Sequence, residues 1–165
     1  MMDQFTNHRV QELYDFLSGY FPEGFSNELG NYEEYMVKQF DTCIRYFEEK
    51  DWNYLEETIP HWYGDFVHRL AMIIVYSQSK KLSVKQMERV YCLAFIHADY
   101  DDAEELLQDF SIFSAIEDTS LLHQVLERMQ VFLEGYAYHE MNQQKEITVQ
   151  RIKFVERRLK EIEQQ

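Results

Sequence analysis

The chain has few of the residues that interrupt regular structure. It contains two prolines and five glycines in 165 residues, and none of them lies between Asp65 and Glu134. A hairpin-rich β fold needs Gly, Asn-Gly or Pro at each tight turn, so a span of this length without them excludes one. Cysteine is scarce too. Cys43 and Cys92 stand in apolar surroundings without Cys-x-x-Cys spacing, which predicts two reduced, buried thiols in a cytoplasmic protein. The first residues, MMDQFTNHR, hold an early Asp and no apolar run, so no secretory leader is expected. The longest apolar run falls far short of a membrane span, and no membrane partner is expected.

Basic residues are missing from long stretches. Between Val90 and Glu127 there is no Lys or Arg while nine acids occur, and Val10 to Val37 is likewise free of Lys and Arg with six acids. Residues 1–118 hold nine Lys/Arg against 23 Asp/Glu, whereas 119–165 hold seven of each, so the whole net charge of −14 resides in the first part. A field of that sign repels nucleic acid and anionic membranes and attracts basic proteins.

Recognisable catalytic signatures are also lacking. There is no G-x-S-x-G elbow, phosphate-binding P-loop or G-x-G-x-x-G turn. The six histidines are dispersed and no Glu-x-x-His occurs, which excludes a ferritin-like di-iron pattern. His61, Asp65 and His68 share a helical face, but a hydrogen-bonded core histidine beside an Asp65–Arg69 ion pair accounts for them better than a metal does. The run from Asp99 fails as a calcium loop, because its sixth and twelfth positions hold Glu104 and Phe110 instead of Gly and Glu. Cys43, on an inward helix face, lacks the base a nucleophile requires. No enzyme activity, metal or cofactor is expected.

What is present reads as helix throughout. With 45% hydrophobic and 16% aromatic residues the chain can bury a real core. We expect one all-α domain over 1–165, a compact bundle or stack of helical hairpins with about seven to eight helices. Its centre is a buried pair, 60–78 and 83–98. The first contains the unbroken apolar run Leu70 to Tyr76 and takes Pro60 into its first turn; the second opens on a Ser83/Gln86 capping box and ends in VYCLAFIHA. Around them the spacing predicts helices over 5–17, 31–49 (capped by Asn31 and Glu34, with Tyr35 inward), a short one after Asp51, one from Asp99, one from Thr119 or Ser120 ending near Gly135, and 146–163. In the loop between the first two, Tyr20, Phe21 and Phe25 fold back onto the core. On the last helix Ile152, Val155, Leu159 and Ile162 form an a/d stripe suited to a groove or a second copy, so a monomer or weak homodimer is expected.

The acidic stretch carries the functional expectation. A solubility surface mixes signs, and this one does not. Asp99, Tyr100, Asp101, Asp102, Glu104, Glu105 and Asp109, with Glu33 and Glu34, are the expected partner-binding residues, Tyr100 as the aromatic anchor. In composition and size the chain is similar to bacterial immunity proteins, which neutralise a cognate toxin. That resemblance implies a basic toxin domain, such as a nuclease, as partner. The alternatives are a nucleic-acid-mimic inhibitor of the anti-restriction or anti-CRISPR kind, and a helical scaffold or regulatory subunit.

Overall fold

The computed structural model describes residues 4–20, 32–108 and 115–165. Among them every regular element is helical: α1 (His8–Ser18), α2 (Tyr32–Ile44), α3 (Glu49–Thr58), α4 (Gly64–Ile74), α5 (Val84–His97), α6 (Tyr100–Gln108), α7 (Thr119–Tyr138) and α8 (Asn142–Glu163). A single 3-10 turn, Ile59–His61, stands between α3 and α4. The helices start where short polar side chains satisfy free backbone N–H groups. Asn7 accepts from Val10 N at 3.0 Å, Ser83 from Gln86 N at 3.0 Å and Asp118 from Leu121 N at 3.1 Å.

The central pair is as expected. Val67, Leu70, Ala71, Ile73 and Ile74 of α4 are wholly buried, as are Val90, Cys92, Ala94 and Phe95 of α5, and the two helices pack on each other. On one side α1 joins α4 and carries α2 and α3; on the other, α7 packs on α5 and α8, and α6 lies against α4, α5 and α8. The buried residues make one cluster from Phe5 to Leu159. Among the described residues no helix is long and apolar enough to cross a membrane.

The central helix is shorter than the 60–78 expected. Pro60 belongs to the separate 3-10 turn, and Trp62 is extended at φ −76° and ψ 154° before α4 begins. The reason is aromatic packing. Leaving the helix puts the Trp62 ring 5.8 Å from Phe5 and 5.0 Å from Tyr14, while its Nε1 donates to Thr58 Oγ1 at 3.2 Å. At the other end Tyr76 is exposed and Ser77 donates to Asp41 Oδ1 at 2.5 Å, so the chain has already turned.

Other boundaries also move. α2 ends at Ile44, and Tyr35 faces solvent where an inward ring was expected. Asp51 sits inside α3, and its carboxylate accepts Glu48 N at 2.8 Å from the first turn. α7 runs past Gly135 to Tyr138, and α8 starts at Asn142, one turn early. Tyr20 is fully buried, as expected. Asn31, Phe21, Phe25, Phe110 and Phe113 lie outside the described residues.

The a/d stripe of α8 is used within the chain. α8 packs mainly along α7, with Ile152, Val155 and Leu159 buried. The pair Ile152→Lys and Leu159→Lys is therefore expected to lower folding stability by about 2 kcal/mol or more per site in urea unfolding. A variant that unfolds like the parent, yet sediments as a smaller species, would make the stripe a contact between copies instead.

Candidate functional site

α6 is a nine-residue helix with Ala103, Leu106 and Leu107 inward. Tyr91 Oη donates to Leu106 O at 2.7 Å, fixing it to α5. Its acids do not share one direction. Asp99, Asp102 and Glu105 stand three residues apart and form a stripe that meets α4. Asp99 lies against Gly64, where a Cβ would come within 2.6 Å of its carboxylate and push that side chain aside. That carboxylate is thus beside the N-terminus of α4, the positive end of the helix. One turn further, Asp102 Oδ1 is 3.8 Å from His68 Nδ1 and Glu105 Oε2 is 3.2 Å from His68 Nε2.

Glu104 turns the other way, to Tyr136. Burial, with Glu104 beside it, pushes the Tyr136 hydroxyl well above the ordinary tyrosine range. Asp101 is exposed. Tyr100 is half exposed, its ring 4.6 Å from Phe132. It forms one wall of a groove of about 400 Å³ lined also by Ile96, Gln124, Glu127, Arg128, Val131 and Phe132. Gly135, inside α7, leaves room for Tyr100 Oη, which would be 3.4 Å from a Cβ there.

Of the other expected partner-binding residues, Glu33 accepts from Tyr20 Oη at 2.7 Å and Glu34 pairs with Lys38 at 3.1 Å. Both belong to α2, which packs on α1, so they are engaged away from α6. Asp109 lies outside the described residues. The structure therefore brings Tyr100, Asp101, Asp102, Glu104 and Glu105 onto α6, with Asp99 just before it, and gives Glu33 and Glu34 local duties.

The stretch without Lys or Arg is also less bare in space than in sequence. Lys85 reaches Glu117 at 2.9 Å, and Arg89 reaches Asp118 at 3.0 Å and Glu56 at 2.8 Å. The Lys85 ammonium holds the Glu117 carboxyl below its usual range. Burial alone would raise Asp118, but the Leu121 N–H and Arg89 outweigh it and pull it down. Arg128 donates to Ile96 O and, at 2.7 Å, to Ala98 O, with its guanidinium over the Phe95 and Phe132 rings. The groove thus holds a cation already committed to the end of α5, with Glu127 the one acid among its lining residues.

No family model, curated protein or solved structure matches this chain. The site's own geometry carries the functional reading.

Neither thiol suits nucleophilic chemistry. Burial pushes Cys43 up to about 11 and Cys92 well above its ordinary value, so both are protonated at neutral pH. The Asp65–Arg69 ion pair, 2.6 Å, is present as expected, and Arg69 also donates to Leu17 O at 2.9 Å, tying α4 to the end of α1. His68 is buried as expected, but where a hydrogen-bonded ring was expected its Nε2 makes no hydrogen bond, and the acids beside it come from α6. Sequence reasoning missed this seam and the α6–α7 groove. The spacing 99, 102, 105 was a legible signal for one face; which helix that face would meet was not.

Proposed function

We propose that this chain is an acidic helical binding protein that neutralises a basic protein partner without catalysis, in the manner of immunity proteins that inhibit bacterial toxins. The observation that carries the reading is Tyr100. It is a half-exposed ring held against Phe132, on the wall of a groove that Glu127 also lines, and the next residue in the chain, Asp101, is exposed. A ring already held in place loses little entropy when a partner covers it, and such anchors dominate interface energies. Exposed carboxylates around it steer a basic partner to the face. A cytoplasmic setting goes with this reading, supported by the two free cysteines.

A nucleic-acid mimic would need its carboxylates spaced along an open face. The regular stripe here is turned toward α4, which favours a discrete protein anchor instead. The test is co-expression with a toxin encoded by a neighbouring gene, followed by binding kinetics. Tyr100→Ala is expected to weaken binding about thirtyfold, roughly 2 kcal/mol, mainly through faster dissociation. Asp101→Lys with Glu127→Lys is expected to slow association and flatten its salt dependence. Full protection and unchanged kinetics in both variants would remove this face from the function.

A further inference from the structure

The seam between α4 and α6 holds a buried nitrogen with nothing to bond. His68 is 2% exposed, and its Nε2 makes no hydrogen bond although Glu105 Oε2 is 3.2 Å away. The carboxylate is near but off the line that an N–H would need. On the other edge of the ring, Nδ1 and Asp102 Oδ1 are 3.8 Å apart, beyond hydrogen-bond reach. One potential ligand atom from each of the three residues falls within 4.8 Å of the others. We propose that His68, Asp102 and Glu105 form a site for a divalent transition-metal ion of the zinc class, bridging α4 to α6.

The donor set selects the ion. One imidazole with two carboxylates suits zinc and its neighbours, while calcium asks for about six to eight oxygens and magnesium for a near-octahedral oxygen shell. Zinc bonds of about 2.0–2.2 Å place tetrahedral ligand atoms about 3.4 Å apart. The Nε2–Oε2 separation of 3.2 Å already fits. Asp102 stands beside Nδ1, the opposite ring nitrogen, so to share an ion at Nε2 its carboxylate must turn across the ring edge and give up its present contacts; its side chain is 23% exposed and that of Glu105 46%. Water completes the shell, as in zinc sites with three protein ligands. Binding would give the orphaned Nε2 a partner, relieve the crowding of two carboxylates, and fasten a short helix to the core.

The full-length chain, stripped with a chelator and returned to chelator-free buffer, is titrated with zinc chloride by calorimetry, with Co²⁺ absorbance reporting the ligand field. One ion per chain and a raised Tm are expected, since an ion that binds only the folded state stabilises it. Mg²⁺ and Ca²⁺ should leave Tm unchanged. Asp102→Asn and Glu105→Gln, at the solvent side of the seam, keep the fold and should each weaken zinc about a hundredfold or more, given that even outer-shell changes cost about 10–100-fold. The control is His8→Ala, because His8 is exposed at the start of α1 and stands 2.9 Å from Glu12. Absent binding, binding indifferent to both carboxylate variants, or binding lost only in His8→Ala would each overturn the proposal. None of these variants is among those that test partner binding, so the two readings fail separately.

Discussion

Ile73→Asp is expected to leave no cooperatively folded protein. Ile73 is wholly buried on α4, the helix that packs against α1, α5 and α6 together. The substitution removes a branched side chain from the centre of the cluster, a change that costs about 2–5 kcal/mol through lost burial and the void left behind. It then places a carboxyl where no donor is at hand, adding several kcal/mol even if the group stays protonated. Domains of this size have about 5–15 kcal/mol in total, so the sum takes most or all of it. Val67→Asp, at a second fully buried position on α4, should behave the same way. Tyr63→Asp, at a position 71% exposed just before α4, should melt like the parent. Far-ultraviolet circular dichroism separates these outcomes. A native-like, cooperative melt for Ile73→Asp would show that α4 is not the centre of this fold.

The second large effect belongs to a charge. Asp51 is 2% exposed and holds the start of α3 to the start of α1. It accepts from Asn7 Nδ2 at 2.9 Å, from Glu48 N at 2.8 Å and from Arg9 Nη1 at 2.8 Å. Asp51→Ala strands the Asn7 and Glu48 donors, and at 1–3 kcal/mol for each unpaired group the loss should be about 3 kcal/mol. Nothing is added for Arg9, whose guanidinium reaches water and can be solvated there. Burial alone would raise the Asp51 carboxyl, but the Asn7 amide, the Glu48 N–H and Arg9 outweigh it and hold it below the ordinary value. A carboxyl depressed by folding contributes stability that is fully present above its unfolded value, near pH 3.9, and is lost as pH falls through the folded value. Urea unfolding from neutral pH down to acid should therefore lose this contribution in the parent. Asp51→Ala should start lower and lack that part of the slope. A variant with unchanged neutral stability would mean the three bonds are not made in solution.

How much of this was legible beforehand follows the range of the interactions. The apolar runs of α4 and α5 declare burial by themselves, and the Ser83 cap is a local signal. Trp62 was not legible, because its break depends on Phe5 and Tyr14, nearly fifty residues away or more, coming to meet it. Asp51 was readable as part of a helix start, but its bond to Arg9 is not encoded near it. The same limit applies to the acids of α6. Their charge and three-residue spacing are sequence facts, whereas the direction each faces depends on Gly64, His68 and Tyr136 of other helices. The Arg-free and Lys-free window misled for a related reason. Lys85 and Arg89 come just ahead of it in the chain yet supply the counter-charges to Glu117 and Asp118.

Arg128 has a consequence for how the molecule comes into being. It belongs to α7, yet its two bonds to Ile96 O and Ala98 O finish α5. While the chain is being synthesised from its N-terminus, everything through α6 emerges before the group that closes α5 exists. Until then the last carbonyls of α5 are open and the Phe95 ring lacks its cover from α7. A ribosome-bound chain ending near Asp118 thus carries α5 without the α7 face that packs on it. The hairpin of α7 and α8 supplies that face last, so the covering of α5 is completed only when α7 has emerged.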